Sequence, residues 1–318
     1  MCYSAQIVAD YKKFVRVFGA TVDLWAFAQL WINLDNVSMK LPKAMGAAFA
    51  HPDSDVEAEI KALIDASTAA QKARFEQELF RQKTRLVEAE RKLAAKVTKA
   101  ASESQRIATS KVDWAQGKLE DLRRTETLDR DSRIFPGYYV PVMVMEGGQR
   151  VVKPMRYQCR PANKPAFYDV KFPGTYNARR DSLERFWRGQ FGHTHGVMIA
   201  TAFYEHVPRH RAEQRDLALG EVEEDLVLEF RPRPEQEMLV ACIWSHWTSL
   251  GQPDLLSFAA VTDDPPQEIA AAGHDRCIIP IKPTNVDAWL NPDPANLAAQ
   301  YALLDDRERP YDDHRLAA

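Results

Sequence analysis

Cysteine is scarce. The four in 318 residues, Cys2, Cys159, Cys242 and Cys277, are too few and too scattered for a disulfide framework, and no two have the C-x-x-C spacing of a zinc or thiol-redox site. A reducing, cytoplasmic setting is the expectation. An excess of one charge is also lacking. The 42 Lys+Arg against 45 Asp+Glu leave −3, so nucleic-acid contact would need a local basic patch. No apolar run has the length of a membrane span, since Leu24 to Trp31 is short and lies between Asp23 and Asp35. Asp10, Lys12 and Lys13 come too early for a signal peptide. Neither G-x-G-x-x-G nor G-x-x-x-x-G-K occurs, and no G-x-S-x-G elbow supports a serine hydrolase. No cofactor is implied.

The last absence is local. From Asp53 to Gln116 there is neither Gly nor Pro, and Ala, Glu, Lys, Gln and Arg dominate, all good helix formers. Leu79, Leu86 and Leu93 recur every seven residues, with Phe80, Val87 and Ala94 one place later, a stripe fit to pack on another helix. One unbroken helix would reach about 95 Å at 1.5 Å per residue, so the pattern predicts an antiparallel hairpin turning near Ser102-Glu103-Ser104. Residues 72–99 hold nine Lys+Arg against four Asp+Glu. That charge suits a solvated helix face, or an arm for nucleic acid or a protein partner.

What remains is 45% apolar overall and ample for a core, in one large domain or two small ones. Phe14, Phe18, Val22 and Trp25 have helical spacing. After Pro136 strand signals dominate: Val140 to Met145 before Gly147-Gly148, then Val197 to Tyr204, Leu226 to Phe230, Met238 to Ile243, Ser257 to Val261 and Ile278 to Ile281. These predict an α+β fold: an antiparallel, barrel-like β domain with peripheral helices and an inserted helical hairpin. The expected division is 1–50 with 130–295 as the catalytic domain, 53–126 as the insert, removable without loss of the fold, and 296–318 as a peripheral tail.

Chemistry starts at Cys2. Removal of Met1 would leave a cysteine with a free α-amine, whose pKa of about 7.7–8.0 lies close to the ~8.5 of a thiol. Such a 1,2-aminothiol condenses with an aldehyde to an imine, which the thiol closes intramolecularly into a thiazolidine. His193, His195, His206 and His210 place alternating histidines near one strand, but no matching carboxylate or cysteine spacing accompanies them, so no metal site is expected. Trp244 and Trp247 read as core residues rather than base-stacking platforms.

Several segments recur in a recognisable order: Met1-Cys2, Asn177-Ala178-Arg179, Tyr204-Glu205, Trp244-Ser245-His246-Trp247, His274-Asp275-Arg276-Cys277-Ile278-Ile279-Pro280, and Ala288-Trp289-Leu290. In this order they resemble the SOS-response-associated peptidase (SRAP) family, whose members crosslink themselves to abasic sites in DNA. The resemblance implies Cys2 as nucleophile, Glu205 as catalytic acid and His274 as a histidine that titrates near neutrality and protonates the opening sugar. It implies Asn177 in the site and Asn177 with Arg179 on the DNA backbone. The partner would be single-stranded DNA bearing abasic sites, the activity autopeptidase and crosslinking (hydrolase or lyase), and the place the nucleoid in a bacterial host. The alternative is a thiol peptidase using Cys2, Glu205 and His274 on other proteins. A third reading is an adaptor acting through the insert. Tyr3-Ser4 departs from the family's Gly-Arg after the cysteine, so an arginine there is missing or supplied elsewhere.

Overall fold

The computed structural model describes residues 3–34 and 39–317, so Cys2 lies outside the described residues. The chain begins β1 (Ser4–Ile7), α1 (Tyr11–Phe18), β2 (Thr21–Val22), α2 (Leu24–Ile32) and α3 (Lys43–Ala47), followed by the long helices α4 (Asp55–Ala95) and α5 (Lys99–Arg123). Next come β3 (Arg133–Ile134), β4 (Tyr139–Glu146), β5 (Gln149–Tyr157), α6 (Tyr168–Lys171), β6 (Asn177–Arg179), β7 (His195–Pro208) and α7 (Arg209–Ala212). The order ends β8 (Asp225–Arg233), β9 (Met238–Trp247), β10 (Leu255–Asp263), α8 (Gln267–Ala271), β11 (Cys277–Ile278), α9 (Val286–Leu290), α10 (Leu297–Asp305) and β12 (Tyr311–Leu316).

The result is a mixed α+β fold built, among the described residues, on one 12-stranded sheet. β4 and β5 pair in register across Gly147 and Gly148, whose φ values of 58° and 78° are those a two-residue hairpin turn requires at both positions. β4 continues onto β7, β7 onto β9, β9 onto β10, and β10 onto β5, so the pairings return to the strand they began from. Most contacts are antiparallel; β10 runs parallel to β5 and β6, and β2 to β5. Val142, Val197, Ile243, Phe258 and Ala259 are wholly buried where these strands face one another. Burial of each of the Val, Ile and Phe side chains contributes about 1.5–3 kcal/mol.

Around the sheet, the N-terminal pattern splits into two helices. Gly19 at φ 62° ends α1, and the Asp23 carboxylate accepts from Ala26 N to start α2. Phe14 is buried with Phe27 and Phe49, whereas Trp25 is 70% exposed, so the apolar stripe breaks at Gly19 rather than continuing. The C-terminal segment is docked rather than peripheral. Leu304 of α10 is buried, and β12 pairs with β8 over six residues, from Tyr311 opposite Arg233 to Leu316 opposite Leu228.

The hairpin is present, but its turn is Lys96-Val97-Thr98, not Ser102–Ser104. The Thr98 hydroxyl accepts from Ala101 N and so starts α5, while the Ser104 hydroxyl, within the helix, takes the Arg85 Nε–H at 3.0 Å. Gln82 and Ala89 of α4 and Ala101, Ala108, Val112, Ala115 and Leu119 of α5 form the buried seam. Phe80 and Val87 stand outside it, 77% and 54% exposed, so only one of the two heptad columns packs. The arm's root is joined to the sheet domain. Ile60 is buried in the main core, Lys12 Nζ bridges Asp53 and Glu57 at 2.7 and 3.0 Å, and Lys43 Nζ donates to the carbonyls of Asp121 and Arg124. No helix among the described residues is long and apolar enough to cross a membrane.

Candidate active site

Glu205 lies near the end of β7, fully buried, opposite Leu228 of β8. Residue 204 pairs with Ser4 of β1, so β1 begins next to the strand position that precedes this carboxylate. A buried carboxyl in mid-sheet costs several kcal/mol unless polar groups meet it. His274 does so, its Nε2 3.3 Å from Glu205 Oε2.

A glycine makes that contact sterically possible. Gly273 has φ +94°, and a Cβ there would sit 2.8 Å from Arg211 Cβ and 2.9 Å from Val207 Cγ1. Val207 is two residues beyond Glu205 on the same strand. The turn after α8 therefore closes onto β7 only because residue 273 has no side chain and tolerates a left-handed backbone. His274 N then bonds Ile269 O at 3.2 Å, and its Nδ1 lies 2.9 Å from Arg276 O. A carbonyl only accepts, so Nδ1 carries the hydrogen and Nε2 turns its lone pair to Glu205. Burial lowers the His274 pKa from 6.5 to about 4. The expected titration near neutrality is thus corrected: at pH 7 this ring is neutral, a proton acceptor beside a carboxyl group.

Tyr3 packs at the same end of β7, against the residue that follows Glu205. Its ring makes edge contacts with His206 at 5.0 Å, Phe135 at 5.7 Å and Tyr176 at 6.4 Å. These contacts join the end of β7 to the start of β6, where Asn177 follows Tyr176. Asn177 sits opposite Ala260 in β10 and is 7% exposed; neither its amide oxygen nor its amide nitrogen has a hydrogen-bond partner among the described residues. Two such unpaired polar atoms cost about 1–3 kcal/mol each, an expense typical of a position that meets a ligand. Arg133, on β3, supplies a guanidinium at the same end. It stands 3.8 Å over the Tyr204 ring, donates to Ser4 Oγ at 3.3 Å, and forms no ion pair among the described residues. Sequence reading missed Arg133 because it lies far along the chain from Cys2 and only strand pairing brings it near.

Arg179 is placed differently. Its guanidinium is held by Asp181 at 2.7–3.1 Å, and it lines a cleft of about 550 Å³ with Arg180, Arg276, Asp263 and Asp264. The carboxylates there balance the cations, so this cleft is a weaker anion site than three arginines suggest. The other singled-out residues are structural. His195 takes the Gly192 N–H at Nε2, bonds Trp289 O through Nδ1 and stacks on Trp289 at 3.9 Å. Burial lowers its pKa to about 3, so it is a neutral core residue. The Trp244 and Trp247 indoles donate to the carbonyls of His195 and Lys164. Burial pushes the Cys159 thiol up to about 12 and raises those of Cys242 and Cys277, so these three are inert at neutral pH. No group of three or more His, Cys, Asp and Glu among the described residues is placed to hold a metal.

A buried carboxyl–imidazole pair thus stands near a strand end of an α+β fold, beside strand β1. Residues 93–317 match the family described as SOS response associated peptidase (SRAP), and the chain belongs to it. Membership associates it with the response to DNA damage. The matched residues include Asn177, Arg179, Glu205 and His274 but not Cys2. Among solved structures, a protein from Bordetella bronchiseptica is 15% identical, covering 59% of this chain and 87% of that chain, with a TM-score of 0.45. One from Bacteroides thetaiotaomicron is 14% identical over 59% and 78%, TM-score 0.46. A phage-related protein from Bordetella bronchiseptica is 17% identical over 58% and 81%, TM-score 0.44. No curated protein matches.

Proposed function

We propose that the protein binds single-stranded DNA and traps abasic sites covalently through Cys2 once Met1 is removed. The α-amine adds to the sugar aldehyde and water leaves, giving an imine; the thiol then adds to the imine carbon and its proton passes to nitrogen, closing a thiazolidine. One water is released and nothing is oxidised or reduced. Glu205 and His274 move the protons: the carboxyl group gives one to the departing water, and the pair takes one up from the amine or thiol. Arg133 and Asn177 hold the DNA backbone, and Arg179 joins them by exchanging the Asp181 carboxylate for a phosphate, so base sequence matters little. In this reading the returning strand pairings form a barrel-like domain with the site at one end, and the insert of residues 53–126 is an arm whose root packs on that domain.

The observation that supports the proposal is the buried Glu205–His274 pair on β7, the strand that pairs with β1 from Ser4 onward. The test is a gel of the protein with an abasic oligonucleotide after denaturation. An adduct is expected from wild type and none from Cys2→Ala. An equal adduct from that variant would assign the nucleophile elsewhere. The family's description as a peptidase favours a second reading, in which the same pair serves thiol proteolysis of other proteins. Cleavage of a peptide substrate with no DNA adduct would establish it.

A further inference from the structure

The helical arm lies outside the site just described, and its charge is unevenly placed. Arg74, Arg81, Arg85 and Lys92 follow one another at intervals of seven, four and seven along α4, which brings all four onto one edge of the helix. That edge extends about 27 Å at 1.5 Å per residue. The facing helix continues the surface. Arg85 bonds Ser104 of α5, and Lys111 and Lys118 follow Ser104 at heptad steps, on the same flank. Lys111 acts electrostatically on Glu78, which confirms that the two flanks adjoin. Trp114 is half exposed between Lys111 and Lys118, three residues from one and four from the other.

Most of this charge is uncommitted. Arg81 pairs with Glu78 at 2.5 Å, but Arg74, Lys92, Lys111 and Lys118 form no ion pair among the described residues. Along α4, Glu78 and Glu88 are the acidic residues on or beside the edge. A helix with so many like charges on one side loses stability to their repulsion unless a polyanion neutralises them. The shape narrows the choice. The row is straight and rigid, and a DNA duplex is likewise stiff over this distance, with a persistence length of about 50 nm. At 3.4 Å of helix axis per phosphate of each strand, 27 Å of duplex carries about eight phosphates on each strand. A single strand would have to be straightened to match it, at an entropic cost. An acidic protein would need carboxylates spaced along an equally straight rod.

We propose that this face of the arm binds the phosphate backbone of double-stranded DNA, with Trp114 packing on the sugar edge. The arm's root supports its use beside the reaction site. From Arg124 the chain runs through Asp131, which Arg124 grips at 2.7 and 2.8 Å, to Arg133 and Phe135, and Phe135 touches Tyr3. Duplex held on the arm would therefore flank the strand that enters the site. The choice of DNA as the polyanion rests on the proposed function; the location of the surface does not.

The experiment uses the full chain with an unmodified 20-base-pair duplex, followed by fluorescence anisotropy over a salt series. The variant Arg74→Gln/Lys92→Gln/Lys111→Gln/Lys118→Gln alters four side chains that make no hydrogen bond among the described residues, so its helices should persist by circular dichroism. Wild type should bind with a steep salt dependence, and the variant's log–log slope should be shallower by up to ~3.6, about 0.9 per lost contact. Affinity at low salt should fall at least tenfold. The Lys/Arg exchange Arg74→Lys, which keeps the charge, should bind as wild type does. Adduct formation on an abasic single strand should be unchanged in the variant. Duplex binding that is absent in wild type, or identical in the variant, overturns the inference even where the adduct forms. Duplex binding lost in the variant, with no adduct from any form, would keep the arm and refute the Cys2 reading.

Discussion

Glu205→Gln tests the site most directly. The substitution keeps the volume of a fully buried side chain, and the new amide can donate to His274 Nε2, which stands 3.3 Å from the present Oε2. Folding should therefore change by less than about 1 kcal/mol, the net worth of one hydrogen bond. What is lost is the ability to give and take a proton. A positioned acid or base contributes about 10²–10⁴ in rate, or roughly 2.7–5.4 kcal/mol of barrier at 1.36 kcal/mol per tenfold. The assay is single-turnover adduct formation on an abasic oligonucleotide between pH 5 and 8.5, scored on denaturing gels. Because His274 is lowered to about 4, it is neutral through this whole range. The wild-type rate should rise with pH as the α-amine deprotonates, near 7.7–8.0, without an inflection at 6.5. Glu205→Gln should be slow at every pH. A wild-type rate that falls through a midpoint near 6.5 would mean His274 acts as imidazolium, and a variant reacting at the wild-type rate would remove Glu205 from the chemistry. Either result refutes the reasoning.

Gly273→Ala would place a methyl group 2.8–2.9 Å from Arg211 and Val207 at a left-handed backbone position; a loss of about 2–4 kcal/mol in urea unfolding is expected, with adduct formation impaired beyond the loss of folded protein. Asp312 is buried on β12, and burial raises its pKa from 3.8 to about 7. The folded state thus keeps a proton that the unfolded state releases, a stabilising contribution present below pH 3.8 and lost as pH rises to 7. Three units correspond to at most about 4 kcal/mol. Asp312→Asn should therefore gain on wild type in unfolding free energy from pH 4.5 to 8, a comparison in which His195 and His274 cancel; parallel curves would show that Asp312 titrates normally. Replacing residues 71–118 with a short Gly-Ser bridge should preserve the fold and the adduct, measured by melting temperature and denaturing gel. Cutting instead from residue 56 also removes Ile60 from the core and should cost about 2–5 kcal/mol.

Local pattern carried much of this architecture. The strands at Val140, Val197, Leu226, Met238 and Ser257 are continuous apolar runs bounded by turn residues, and the Gly- and Pro-free segment forms the two helices its composition requires. Glu205 and His274, which the fold brings to 3.3 Å, each stand in a short ordered motif of the sequence. Other features have no local signal. β12, with sequence YDDHRL, is polar throughout and becomes a strand only because β8 offers an unpaired edge. The turn moved from Ser102–Ser104 to Lys96–Thr98 because capping geometry favoured Thr98 over equally polar alternatives. Phe80 and Val87 share the seven-residue repeat of Leu79 and Leu86, and only the hairpin's seam decides which column is covered.

The sequence by itself determined which groups are available: a cysteine at position 2, a carboxyl, an imidazole and a basic helical segment. Tertiary structure decided what state they are in. Burial that no local pattern encodes makes His274 a neutral acceptor, the Asp181 carboxylate occupies Arg179, and the pairing of β3 with β1 delivers Arg133 to Ser4 from far along the chain. Proton affinity and charge compensation depend on which atoms lie within a few ångströms, and in a folded chain those neighbours are set by packing between elements distant in sequence.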